Sequence, residues 1–396
     1  MQLTSHHVLL LLLIGYVVYS IDKKQKNFPV PVVLVLCGLL LSPIPYFDEL
    51  TVSQKMIFNV FLPALLFVSA YSFPLDALKK NRGIILTLGT AGLMLTVLLF
   101  GAAIYTAANL FVSVSLIGAL LVASILAPTD PVSVVSILKQ SSGDEKIADI
   151  VEGESMLNDG TSIVLFTIFL GMFTSGTDFS FARFIGEFLL VSLGGVLLGA
   201  VFGWLMSKAI HYSHHRTYQV MLSIIIAYGS FYLGETVGVS GVLATVTAGL
   251  MLSFEFGRNI KEDHFRDSLD GFWDVTESSV LALLFLLIGI QAADYLLFSG
   301  WTAAIIIFLL SLLVRWIVLS GFTFVVPAWK HVFSWSDTVL ISWSGIKGAM
   351  SVALLMGFEA ASNSDDLLVS LSFAAIILSL IIQSAGIYPL TKKLKG

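Results

Sequence analysis

With 57% hydrophobic and only 12% charged side chains over 396 residues, and a mean hydropathy of +0.93, the chain cannot make a soluble surface. Its net charge of −5 is small and its signs are segregated by loop, which gives no ground for a nucleic-acid partner. The one cysteine, Cys37, excludes an intrachain disulfide framework.

Apolar runs predict helices over 8–20, 28–41, 53–72, 83–107, 112–138, 147–172, 181–209, 217–234, 238–254, 275–291, 300–326, 336–358 and 367–391. The fold class is therefore an all-α polytopic membrane protein of about 13 transmembrane helices, a single unit over 1–396. Helices are the expected spanning element because backbone groups in lipid must be satisfied within their own segment, and the alternation of a β-barrel is missing. The first run lacks the basic flank and cleavage site of a signal peptide, so it counts as a span. Of the 21 Lys and Arg residues, 17 fall in loops on one side and Arg183 alone on the other. That bias puts the N-terminus outside and the C-terminus in the cytoplasm.

Ionisable groups inside a bilayer are costly, about 2.5–3.5 kcal/mol each at a helix centre, so the few present mark function. They are Asp130, Glu154, Asp159, Arg315 and Lys347. In span 5, "APTDPV" (127–132) brackets Thr-Asp with two prolines, which a regular helix cannot accommodate. Asp130 before Pro131 also reads as the N-cap of a second half-helix. In span 12, "SGIKGAMS" (344–351) places Gly345 and Gly348 around Lys347, a second weak point where the lysine can neutralise exposed carbonyl ends. Spans 5 and 12 are seven apart and so run in opposite directions. Spans 4–6 and 11–13 thus form an inverted repeat with two broken helices, the pattern of a secondary transporter.

Span 6, with "GESMLNDGTSIVLF" (153–166), puts Glu152, Ser155 and Asp159 on one helix face and Glu154 with Asn158 on a neighbouring one. Asp159, Ser155, Thr129 and the carbonyls freed by the break make an oxygen-rich cage for a small hard cation. The same carboxylate can take a proton instead, so one site can exchange the two ions. Thr161 and Ser162 read as packing or backbone-bonded hydroxyls, and "HYSHHR" (211–216) as solvated loop histidines. Gly195, Gly199 and Gly203 form a stripe for close helix approach whose partner the spacing leaves open.

Together, "LAPTDPVSVVSILK", "VEGESMLNDGTSIVLF" and "GIKGAMSVAL" resemble the NhaP-type monovalent cation:proton antiporters, the group that includes animal and plant sodium/proton exchangers. The resemblance runs over almost the whole chain. It implies exchange of Na+, and also Li+, for H+ across the cell membrane, with no cofactor and with K+/H+ exchange as the alternative. It also implies a homodimer working by elevator-type alternating access. The mobile core would come from 83–172 and 300–391, and the dimerisation scaffold from 1–82 and 181–291. The family's cation ligands carry over to Asp159, Ser155 and Thr129, with Asn158 as the Asn of its Asn-Asp pair. Asp130 is a further candidate ligand, and Glu154 with Arg315 would be the structural ion pair. Two departures stand out. Lys347 occupies a position where the family often has Arg. The end of span 3, where some relatives have an acid, offers only Ser69, Tyr71 and Ser72. Rivals from other classes are an intramembrane aspartyl protease using Asp130 and Asp159, and a cation channel. The motifs argue against the first, and the internal inversion argues against the second.

Overall fold

The structure is a computed structural model. It describes residues 5–21, 29–47, 50, 54–108, 114–130, 135, 138, 145–177, 179–210, 215–258, 263–330, 332–361 and 366–395. Every element of regular structure among these residues is helical. In chain order, those longer than four residues are α1 (Ser5–Ile21), α2 (Val30–Leu41), α3 (Ile57–Ser72), α4 (Leu75–Ala107), α5 (Leu116–Leu126), α6 (Glu145–Ser175) and α7 (Phe181–Ile210). Then follow α8 (Arg216–Val237), α9 (Gly241–Arg258), α10 (Asp263–Leu296), α11 (Trp301–Val325), α12 (Trp335–Trp343), α13 (Ala349–Ala361) and α14 (Leu367–Leu394). By length and composition 7 of these, α4, α6, α7, α8, α10, α11 and α14, can each cross a bilayer alone.

Local chemistry sets the helix ends. Ser115 caps α5, its Oγ accepting from Gly118 N at 3.0 Å. Ser334 and Asp337 form a reciprocal capping box at the start of α12. Gly238, at φ 82°, closes α8 in the left-handed conformation that glycine adopts without penalty.

Two boundaries differ from the hydropathy expectation. The span expected at 83 begins at Leu75, so Lys79, Lys80 and Arg82 lie on α4 rather than in a loop. The span expected at 275 begins at Asp263, with Leu269 and Trp273 buried on one face of that extension. Both extensions are amphipathic: they bury one face and keep charges on the other, so mean hydropathy misses them. The expected start of a half-helix after Asp130 falls on 131–134, outside the described residues, as do 211–214 of the histidine cluster.

The glycine stripe of α7 packs within the chain, on α9. A Cβ at Gly199 would stand 2.2 Å from the Ala244 carbonyl oxygen, and one at Gly203 would stand 2.7 Å from Ala248 Cα. Only hydrogen fits there, so backbone meets backbone as small-residue crossings in membranes require. The opposite face of α7 exposes Leu190, Leu193 and Leu197.

Candidate functional site

The prolines and glycines interrupt the helices where the sequence places them. α5 stops at Leu126 and residues 127–130 are non-helical, while 345–348 separate α12 from α13. The two breaks cross. Asp130 N donates to the Ile346 carbonyl at 2.8 Å, and Asp130 Oδ2 accepts from Ala349 N at 3.3 Å. Asp130 therefore caps the first turn of α13, on the other broken helix, where amides without intrahelical partners concentrate positive potential. Gly348 permits this, because a Cβ there would lie 2.2 Å from Asp130 Oδ2.

Both sides of the second break have partners on α14. Gln383 Nε2 donates to Trp343 O at 2.7 Å, Trp343 Nε1 donates to Gln383 O at 3.0 Å, and Lys347 N donates to Ser379 Oγ at 2.9 Å. A π-helical turn at Ser379–Gln383 in α14 presents these side chains. The sequence reading missed both residues. Their signal is two polar groups one turn apart in an otherwise apolar run.

α6 supplies the side chains facing the first break. Ser155 Oγ donates to the Thr129 carbonyl at 2.5 Å, and Asn158 Nδ2 donates to Thr129 Oγ1 at 2.8 Å. Asn158 thus holds Thr129 in place and is not among the residues lining the neighbouring cavity. Thr161 Oγ1 donates to Gly89 O at 2.6 Å, tying α6 to a π-helical turn of α4, and Ser162 Oγ donates to Asp159 O at 2.9 Å.

Glu154 and Arg315 meet in a bidentate pair, with Arg315 Nη1 and Nη2 donating at 2.9 and 2.8 Å. The residues are 4% and 7% exposed, so their charges must neutralise one another. Lys347, equally buried, lies within electrostatic range of both.

Asp159, Ser155, Thr129 and Asp130 share a cavity of about 470 Å³. Asp159 Oδ1 is buried and has no hydrogen-bond partner among the described residues. Burying a carboxylate oxygen without a partner is costly, which marks it as the group left open for a ligand. Glu152 and Glu277 also line the cavity, and among the described residues no Lys or Arg does. Four carboxylates and no cationic side chain make the space selective for cations over anions. Glu277 is the acid that sequence analysis passed over: it stands about four turns from the Asp263 start of α10, on the cavity wall.

The family model described as "Sodium/hydrogen exchanger, transmembrane" matches residues 8–393. The Na(+)/H(+) antiporter NhaH of Halobacillus dabanensis is 30% identical over 400 residues, covering 98% of this chain and 97% of that protein. The Na(+)/H(+) antiporter NhaG of Bacillus atrophaeus is 30% identical, covering 99% of this chain and 76% of that one. Among solved structures, the sodium proton antiporter MjNhaP1 from Methanocaldococcus jannaschii superposes with a TM-score of 0.79 at 20% identity, covering 99% of this chain and 98% of that one, which shows a shared fold. A family match over nearly the whole length, on a helical fold whose two breaks cross beside a buried carboxylate, identifies the chain as a member of the sodium/hydrogen exchanger family: a multi-pass sodium/proton antiporter of the cell membrane and not an enzyme.

Proposed function

We propose that the antiporter exchanges one Na+, or one Li+, for one H+, with Asp159 as the group both occupy in turn. The observation that carries this is the unpartnered Asp159 Oδ1 in a cation-selective cavity. The Ser155 hydroxyl and Thr129 oxygens complete the ligand set, since hard cations take carboxylate, carbonyl and hydroxyl oxygens. Asp130 caps α13, and Asn158 sets Thr129 rather than binding the ion.

The N-terminus is outside and the C-terminus cytoplasmic, with thirteen crossings arranged as an inverted repeat about the two breaks. In this orientation the cavity opens to the cytoplasm, through the ends of α1 and α3 and the start of α6. Its walls support the division into subdomains. Thr129, Asp159 and Gly348 belong to the mobile core of 83–172 and 300–391. Tyr19, Ser72 and Glu277 belong to the scaffold of 1–82 and 181–291, through which two copies pair as a homodimer. Elevator-type movement of the core against that scaffold carries Asp159 from one side to the other.

One exchanging carboxylate carries the same total charge whether loaded with Na+ or H+, so transport is electrically silent. A net moved charge would couple exchange to voltage at about 2.3 kcal/mol per 100 mV. In proteoliposomes with equal sodium and pH on both sides, an imposed diffusion potential is therefore expected to cause no sodium accumulation. Accumulation driven by voltage alone would overturn the one-carboxylate scheme. A pH gradient collapsed by K+ but not by Na+ would instead assign K+/H+ exchange.

Ser155→Ala removes one ligand and the bond that aligns the Thr129 carbonyl. Exchange is expected to survive, with half-saturating sodium raised about three- to tenfold, in line with a net hydrogen-bond contribution of about 0.5–1.5 kcal/mol. An unchanged sodium dependence would remove Ser155 from the site.

A further inference from the structure

Two carboxylates of the cavity, Glu152 and Glu277, have no part in the exchange described above. Glu152 lies on α6 with Asp159 and would travel with it, whereas Glu277 stands on α10, in the scaffold. It is half-buried and within electrostatic range of Asp130 and Glu152 inside the cavity, and of Asp274 on its own helix. Tyr19, on the same wall, senses both Glu277 and Asp130.

The end of α3 supplies no charge on that wall. Phe73 is 1% exposed, and its ring packs over Gly153 of α6, 2.9 Å from where a Cβ would be. Ser69 and Ser72 line the cavity from α3 with hydroxyls alone. Among the described residues, the negative charge that the scaffold presents to the transport site thus comes from α10. The cavity's 470 Å³ leaves room for a cation with water still around it. The free Oδ1 of Asp159 opens on the same space, a ready second stop once that water is shed.

We infer that Glu277 is a cation-recruiting residue of the scaffold, holding a hydrated monovalent cation at the cytoplasmic mouth, with Ser69 and Ser72 beside it, before Asp159 takes the ion. This rests on the proposed exchange at Asp159. Glu277 remains with the scaffold when the core moves, so it raises the local cation concentration for the inward-facing site without being carried across. A fixed charge in a low-dielectric cleft acts on capture of the ion and leaves the carrying step alone.

The test compares wild type, Glu277→Gln and Glu277→Asp in inverted membrane vesicles, with sodium chloride added to the cytoplasmic face and proton movement followed by a pH-sensitive dye. Glu277→Gln is expected to raise half-saturating sodium about three- to tenfold at low ionic strength with the maximal rate kept within about twofold. Choline chloride at high concentration should narrow the gap. Glu277→Asp, which keeps the charge, should behave as wild type. If wild type exchanges sodium normally and Glu277→Gln shows the same half-saturation, the inference fails while exchange at Asp159 stands. A lost maximal rate at unchanged half-saturation, or an Asp variant as impaired as Gln, would make Glu277 a structural residue. A wild type that moves no protons on sodium addition would defeat the exchange reading itself.

Discussion

Replacing Asp159 by asparagine is expected to reduce sodium-dependent proton movement to background while leaving a folded, membrane-inserted protein. The two side chains have nearly the same shape, and Oδ1 of Asp159 has no hydrogen bond to lose. The bonds that shape the site also survive, since Ser155 and Asn158 hold Thr129 without Asp159. What disappears is the charge. A neutral amide binds no exchangeable proton, and a cation bound beside it would cross unbalanced, opposed by both desolvation and membrane potential. The measurement is sodium-induced collapse of a preformed pH gradient in vesicles, alongside thermal unfolding of the purified variant. Retained exchange would move the shared site elsewhere, with Asp130 next because it lines the same cavity.

Legibility in the sequence followed the type of signal. The breaks at 127–130 and 345–348 were visible because proline and glycine act on their own backbone, whatever surrounds them. The face shared by Glu152, Ser155 and Asp159 was visible because helical periodicity is local. Contacts between distant segments were not. Nothing in the spacing of Ser379 and Gln383 says that they meet the Lys347 amide and the Trp343 carbonyl at the second break, and nothing near Asp130 says that its carboxylate reaches Ala349. The partner of the α7 glycine stripe, α9, became apparent only from the packing. Glu277 was hidden for another reason. A hydropathy window detects the length of chain in hydrocarbon, so the amphipathic start of α10 looked like loop and a cavity-lining acid looked like a boundary.

The second large effect is expected at the Glu154–Arg315 pair. Glu154→Gln should destabilise the protein by about 3–5 kcal/mol, because it leaves a buried guanidinium without its counter-charge. Arg315→Met should cost less than Glu154→Gln. Lys347 lies within range of both members, so loss of Arg315 leaves Glu154 with a remaining cation, whereas loss of Glu154 leaves two cations facing each other. The double variant, which removes both charges and keeps the volume, should recover stability relative to Glu154→Gln, since a buried pair is often replaceable by apolar side chains at little cost. Thermal midpoints of the three purified variants in one detergent check the order, and the double-mutant cycle gives the coupling. Single variants as stable as wild type yet unable to exchange sodium would move the pair from a structural role to the transport site. The reverse order, with Arg315→Met the worse, would show that Lys347 lends Glu154 no support and that the guanidinium, held also by its contact with the Ile341 carbonyl, fixes α11 against the broken helix.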